Sequence, residues 1–200
     1  MPAIGGYTTL PPILKRHNMG YPTIDKFDIK FIERTKQNVT AFNKPHKFTH
    51  LINSLVGLIF IPNEFNKKGK RTYKIDFLNK PISDYKTLSD IFSGEVTLAN
   101  EQGENFSQIK FFKKDKEGNS KTIQETSVGE LVSLFRNGIA HSNITPVAEG
   151  NYWKGIIVKN FKSTMKEKQN DFNFEAYLNQ KELRIFSTFI ADEYLNNVTK

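Results

Sequence analysis

Cysteine is absent from the 200 residues, tryptophan occurs once and methionine three times. Without thiols there is no disulfide framework, no thiolate metal site and no cysteine nucleophile, and the composition suits a reducing compartment. Long hydrophobic runs are also missing. The most apolar stretch, LINSLVGLIFI at 51–61, is too short to span a bilayer and contains Asn53 and Ser54. The opening MPAIGGYTTLPP has neither the basic nor the apolar region of a signal peptide. These absences predict a cytoplasmic protein without a membrane partner. Neither G-x-x-x-x-G-K-[ST] nor G-x-G-x-x-G occurs, which leaves nucleotide hydrolysis and dinucleotide redox chemistry unsupported. No pair of His, Asp or Glu has metal-ligand spacing, so no metal and no cofactor is expected.

What is present is a globular composition, 38% apolar with 17 phenylalanines, enough to build a core at this length. The formal charge of +8, from 29 basic and 21 acidic residues, favours polyanionic partners, nucleic acid first. Residues 1–24 are rich in Gly and Pro without a period and read as an extended arm. From Asp25, the residues Phe27, Phe31, Ile32, Thr35, Val39 and Phe42 recur at helical steps, predicting a helix that ends near Asn43. Pro45 suits the start of a second helix, nearly apolar all round through Phe48, Leu51, Ile52, Leu55, Val56, Leu58 and Ile59, with Pro62 as its stop. Gly57 in its middle suggests a close crossing.

The stretch 66–126 carries weaker signals. Tyr85, Leu88, Ile91 and Phe92, closed by Gly94, predict a short helix, and SQIKFFKKDKEGNSKTIQE suggests a hairpin around Gly118-Asn119. Ser127 and Glu130 have capping-box spacing before a helix with Val128, Leu131, Val132, Phe135 and Ile139 on one side. Ile144–Val147, a Gly150-Asn151 turn and WKGIIVKN at 153–160 read as a two-stranded ribbon. Phe172, Phe174, Ala176 and Leu178 alternate as a strand, and Leu183, Phe186, Ile190 and Tyr194 give a final helix. The predicted architecture is mainly α, a helical bundle with a small antiparallel sheet appended.

The chemistry concentrates in RNGIAH at 136–141. At 100° per residue, Asn137 and His141 share a helix face and Arg136 lies beside it, while Phe135 and Ile139 point into the bundle. Gly138 and Ala140 leave a small-residue gap through which a phosphate or another backbone could come close. A guanidinium holds phosphate oxygens through paired hydrogen bonds. An imidazole exchanges protons with a 2'-hydroxyl or a 5'-oxygen near neutral pH, and Asn137 could orient either group. One histidine cannot be both acid and base, but a two-fold dimer would supply a second. The same basic residues in a last helical turn also complement the helix dipole, and spacing alone does not separate the two readings.

RNGIAH resembles the R-x4-6-H motif of the HEPN superfamily, in its form of arginine, polar residue, two variable positions, alanine and histidine. FIERTKQNV (31–39) and HKFTHLINSLVGLIFIPNE (46–64) resemble the first two helices of a prokaryotic branch found on plasmids and beside defence genes, and the ribbon and terminal helix agree with it. The resemblance covers about 25–66 and 127–196. It implies one HEPN-like domain at 25–200 with an insertion at about 67–126, and a dimeric helical fold. It further implies metal-independent endoribonuclease activity leaving a 2',3'-cyclic phosphate, in a toxin or phage-defence role, with Arg136, Asn137 and His141 as the active-site positions. The implied partners are RNA, a second copy of the chain, and an antitoxin or regulatory protein.

Other residues carry less. Lys67, Lys68, Lys70 and Arg71 form one basic cluster, and Lys110, Lys113, Lys114 and Lys116 another beside Phe111 and Phe112. Either could track an RNA backbone, though such runs are also ordinary solvated loops. His50 suits an interior or interface histidine, His17 and His46 suit loops, and Tyr152 and Trp153 suit packing. Two rival functions remain open: a non-catalytic HEPN module binding a nucleotide or protein, and a charge-driven nucleic-acid-binding regulator.

Overall fold

The computed structural model describes residues 27–41, 48–67, 75–93, 97–99, 105–107, 109–111, 113–114, 117–149, 152–161 and 172–198. The expected arm at 1–24, the Gly150-Asn151 turn, and Pro45, Gly94, His17 and His46 lie outside them.

Helix α1 (Phe27–Ala41) buries Asp28, Ile32, Thr35 and Val39, a stripe at steps of four, three and four. Its neighbour α2 (Phe48–Lys67), which contains His50, lies against it through Gly57, where an added Cβ would meet the Phe31 ring at 2.8 Å. Pro62 does not stop α2. The helix runs through it to Lys67, although an interior proline forfeits a backbone hydrogen bond and costs about 3 kcal/mol. Tertiary packing offsets that cost, because Leu58, Ile59 and Pro62 are all buried. The final helix, α5 (Gln180–Val198), closes over both. Its Tyr194 hydroxyl donates to Asp28 Oδ2, its Arg184 to the Val39 carbonyl, and its Asp192 pairs with Lys36.

The middle of the chain is folded into the same core. Two 3-10 turns (Asp76–Asn79 and Ile82–Asp84) and helix α3 (Lys86–Ile91) bury Ile75, Phe77, Leu78, Ile82, Leu88, Ile91 and Phe92. Strands β1 (Thr97–Ala99) and β2 (Asn105–Ser107) pair with each other. The expected hairpin forms only at its tip, where β4 (Lys113–Lys114) pairs with β5 (Ser120–Lys121) around Gly118, whose φ is +91°. The preceding β3 (Ile109–Phe111) leaves the hairpin and pairs with a strand that begins at Phe172.

That pairing changes the architecture. Strands β6 (Ile144–Glu149), β7 (Tyr152–Phe161) and β8 (Phe172–Asn179) join β3 in a four-stranded antiparallel sheet of order β3-β8-β7-β6. The expectation of a mainly α bundle with a small appended antiparallel sheet is met in its helices and in the antiparallel pairing, but the sheet has four strands and shares the helices' core rather than being appended to it. The reason is alternation: Ile156 and Val158 on β7 and Phe174, Ala176 and Leu178 on β8 are all buried on one face. Pro146, which cannot complete a ladder, falls on the edge strand β6. Helix α4 (Val128–Ala140) inserts Phe135 between this sheet and the other helices, its ring 5.2 Å from Phe174 and 5.1 Å from Phe186.

A carboxylate is buried in the sheet. Glu175 is 3% exposed and takes Lys159 at 2.7 Å and Lys110 at 3.1 Å, with both ammonium groups near the Phe172 ring. Burial pushes its carboxyl up, but the hydrogen bonds and charges of Lys159 and Lys110 outweigh that and hold it below the ordinary carboxylate range. A carboxyl lowered on folding adds stability above its unfolded value of about 4.3, and that stability is lost as pH falls through the folded value. Replacing Glu175 with Gln should lower stability at neutral pH by about 2 kcal/mol, the lysines being partly solvated. It should also flatten the acid limb of urea-unfolding stability below about pH 5.

Candidate active site

The site is built where α4 ends. Ser127 starts the helix, its hydroxyl accepting from the Glu130 amide at 3.2 Å, while the Glu130 carboxylate lies 3.9 Å from Lys121. The turn before it is fixed from outside: Val128 N–H donates to the Lys80 carbonyl, Ile82 N–H to that of Thr126, and Gln124 Nε2 to that of Phe92.

The other end is held just as closely. At Gly138 an added Cβ would stand 2.5 Å from Val158 Cγ1 and 2.6 Å from the Lys159 carbonyl oxygen. The small-residue gap expected at Gly138 is thus filled by β7 of the same chain and admits neither phosphate nor a second backbone; Ala140 is exposed. Beyond it the chain makes a Schellman turn. Asn143 N–H donates to the Gly138 carbonyl at 2.8 Å and Ser142 N–H to that of Ile139 at 3.0 Å. Asn143 then accepts from the Lys159 N–H at 3.0 Å, tying the turn to β7. Ser142 takes the left-handed conformation that glycine fills most easily, at φ +58°.

These constraints distribute the motif residues. Arg136 and Asn137 are half-buried and His141, at the C-cap, is exposed. Arg136 Nη1 donates to Asn137 Oδ1 at 2.8 Å, so the amide serves the guanidinium rather than the imidazole. Arg136 Nη2 donates to Glu64 Oε1 at 2.6 Å, linking α4 to the end of α2. Glu64 was missed in the sequence. Its only signal was a carboxylate just past Pro62 on an apolar helix, and nothing local couples it to a residue 72 positions away.

The sequence matches the family HEPN pEK499 p136 over residues 19–200. The chain belongs to this HEPN family. The family is plasmid-associated, and the matched range takes in both the middle segment and the Arg136–His141 motif. No curated protein and no solved structure matches the chain. Among the described residues of this HEPN protein, no group of three or more His, Asp or Glu could hold a metal ion, and no helix is long and apolar enough to cross a membrane.

Lys67 is the last residue of α2, while Lys68, Lys70, Arg71 and Lys116 lie outside the described residues. Lys113 and Lys114 form β4, opposite Lys121 and Ser120. Lys110 pairs with Glu175 at 3.1 Å. Trp153, expected to pack, is instead 46% exposed.

Two substitutions probe the end of α4. Helix propensity alone predicts that Gly138→Ala stabilises by about 1 kcal/mol; the contact with β7 predicts a loss of about 2 kcal/mol, and chemical denaturation reads the sign. Ser142→Gly should raise stability by about 0.5 kcal/mol, the relief of the left-handed strain less the entropy of glycine.

Proposed function

We propose that this HEPN protein is a metal-independent endoribonuclease, acting as a toxin or phage-defence effector. The observation that carries the reading is the arrangement of Arg136, held by Asn137 Oδ1, one turn from an exposed imidazole at the helix terminus, in a chain of HEPN membership. Arg136 would hold the non-bridging oxygens of the scissile phosphate and stabilise the charge that builds on them. One His141 imidazole would take the proton of the 2'-hydroxyl as that oxygen attacks phosphorus. The P–O5' bond breaks, and a protonated imidazole delivers its proton to the departing 5'-oxygen, leaving a 2',3'-cyclic phosphate and a 5'-hydroxyl.

Both roles cannot fall to one imidazole in a single step. A second copy of the chain, related by a two-fold axis near the end of α4, would bring the other. The exposure of His141 is compatible with that arrangement, and the tight packing of Gly138 fixes the helix that presents it.

Purified protein incubated with single-stranded RNA and EDTA should cleave it. His141→Ala and Arg136→Ala should each lose about a hundredfold or more in rate while keeping wild-type circular dichroism. RNA binding without cleavage in the wild type would instead favour a non-catalytic HEPN module, and no RNA binding would favour a protein or nucleotide ligand.

A further inference from the structure

The ion pair between α2 and α4 has a bearing on how RNA would enter. Arg136 has two donors committed in the free chain, Nη1 to Asn137 and Nη2 to one oxygen of Glu64. The two partners differ in kind. The amide of Asn137 is neutral, so it orients the guanidinium without cancelling its charge. The carboxylate of Glu64 carries the same single negative charge as a phosphodiester and offers the same type of acceptor to the same fork.

We propose that Glu64 is the resident anion of the phosphate site: it holds the Arg136 guanidinium in the free protein and is displaced when an RNA phosphodiester binds. Exposure supports displacement. The side chains of Arg136 and Glu64 are 35% and 29% exposed, so water screens the pair and its net worth is small. A sealed pair would resist exchange, because removing one partner would strand a buried charge. The contact is also single-pronged, through Oε1 alone, whereas phosphate can accept from two guanidinium donors at once. Glu64 therefore keeps the guanidinium ordered and neutralised until a ligand offering a better set of acceptors arrives. It raises the threshold for weak anions and for isolated, singly charged ligands. This inference rests on the reading of Arg136 as the group that holds RNA phosphate.

The test is binding of a fluorescently labelled 2'-O-methyl RNA, which lacks the attacking hydroxyl and cannot be turned over. Affinity is measured for the full chain as wild type, Glu64→Gln, Arg136→Ala and the double variant. Gln keeps an acceptor for Nη2 and removes the charge. Glu64→Gln should bind about three- to tenfold more tightly than wild type, with an unchanged melting temperature. In the Arg136→Ala background the same change should have no effect, because Glu64 acts through the guanidinium. Unchanged or weaker binding in Glu64→Gln would overturn the proposal. So would equal tightening with and without Arg136, which would mark a general charge effect. Cleavage of ordinary RNA, measured separately, keeps the two readings apart. Cleavage by wild type without tightening in Glu64→Gln sinks this inference alone. Tightening without cleavage sinks the nuclease reading alone. Absence of any RNA binding sinks both.

Discussion

The approach of Gly138 to the backbone of β7 sets the position of everything around it. A helix that meets a strand without an intervening side chain can rotate very little about its own axis. With that rotation fixed, Phe135 must point into the aromatic cluster with Phe174 and Phe186, and Arg136 must turn toward the end of α2. His141 is then left at the rim. The Schellman turn completes the constraint, since Asn143 both receives the helix end and accepts from Lys159 on the same strand. The sheet is thus a jig for the helix terminus, and Ser142 bears the conformational strain of the sharp exit.

Electrostatics follow a related economy. The composition carries a positive excess, yet the half-buried cations around the core are compensated: Lys110 and Lys159 by Glu175, Lys36 by Asp192, Arg136 by Glu64. In each case the acid comes from a different element of the fold, so the pairing exists only once the chain has closed. The long-range field that would draw a polyanion to the molecule must arise from other basic residues, and these compensated cations contribute to it little.

Periodic features were legible in the sequence. The stripe of α1, the alternation of β8, the serine cap of α4 and the spacing of α5 all follow from local pattern, and the structure contains each. So does the crossing at Gly57, although an aromatic ring rather than a backbone fills it. What escaped was non-local. Pro62 breaks a helix in isolation but not one packed through Leu58, Ile59 and the proline itself. β3 reads as half of a hairpin because its true partner, β8, is far along the chain. The buried Asp28 takes the Tyr194 hydroxyl from the far end of the chain, and no local pattern marks that pair. At the candidate site, Gly138 was read as an opening when it is a contact with β7. The Glu64 carboxylate belongs to another helix altogether.

The closure of α5 over α1 has a consequence for synthesis. The first helix of the fold is completed by the last, through Asp28–Tyr194, Lys36–Asp192 and the Val39 carbonyl with Arg184. The contacts of α1 with α5 therefore form only after residues 184–194 have been made, and until then a growing chain holds α1 without them. The helix carrying Arg136 likewise gains its strand support only once β7 and β8, which follow it in the chain, have been made. A partly made polypeptide thus holds the Arg136–His141 segment without the strands that fix its helix.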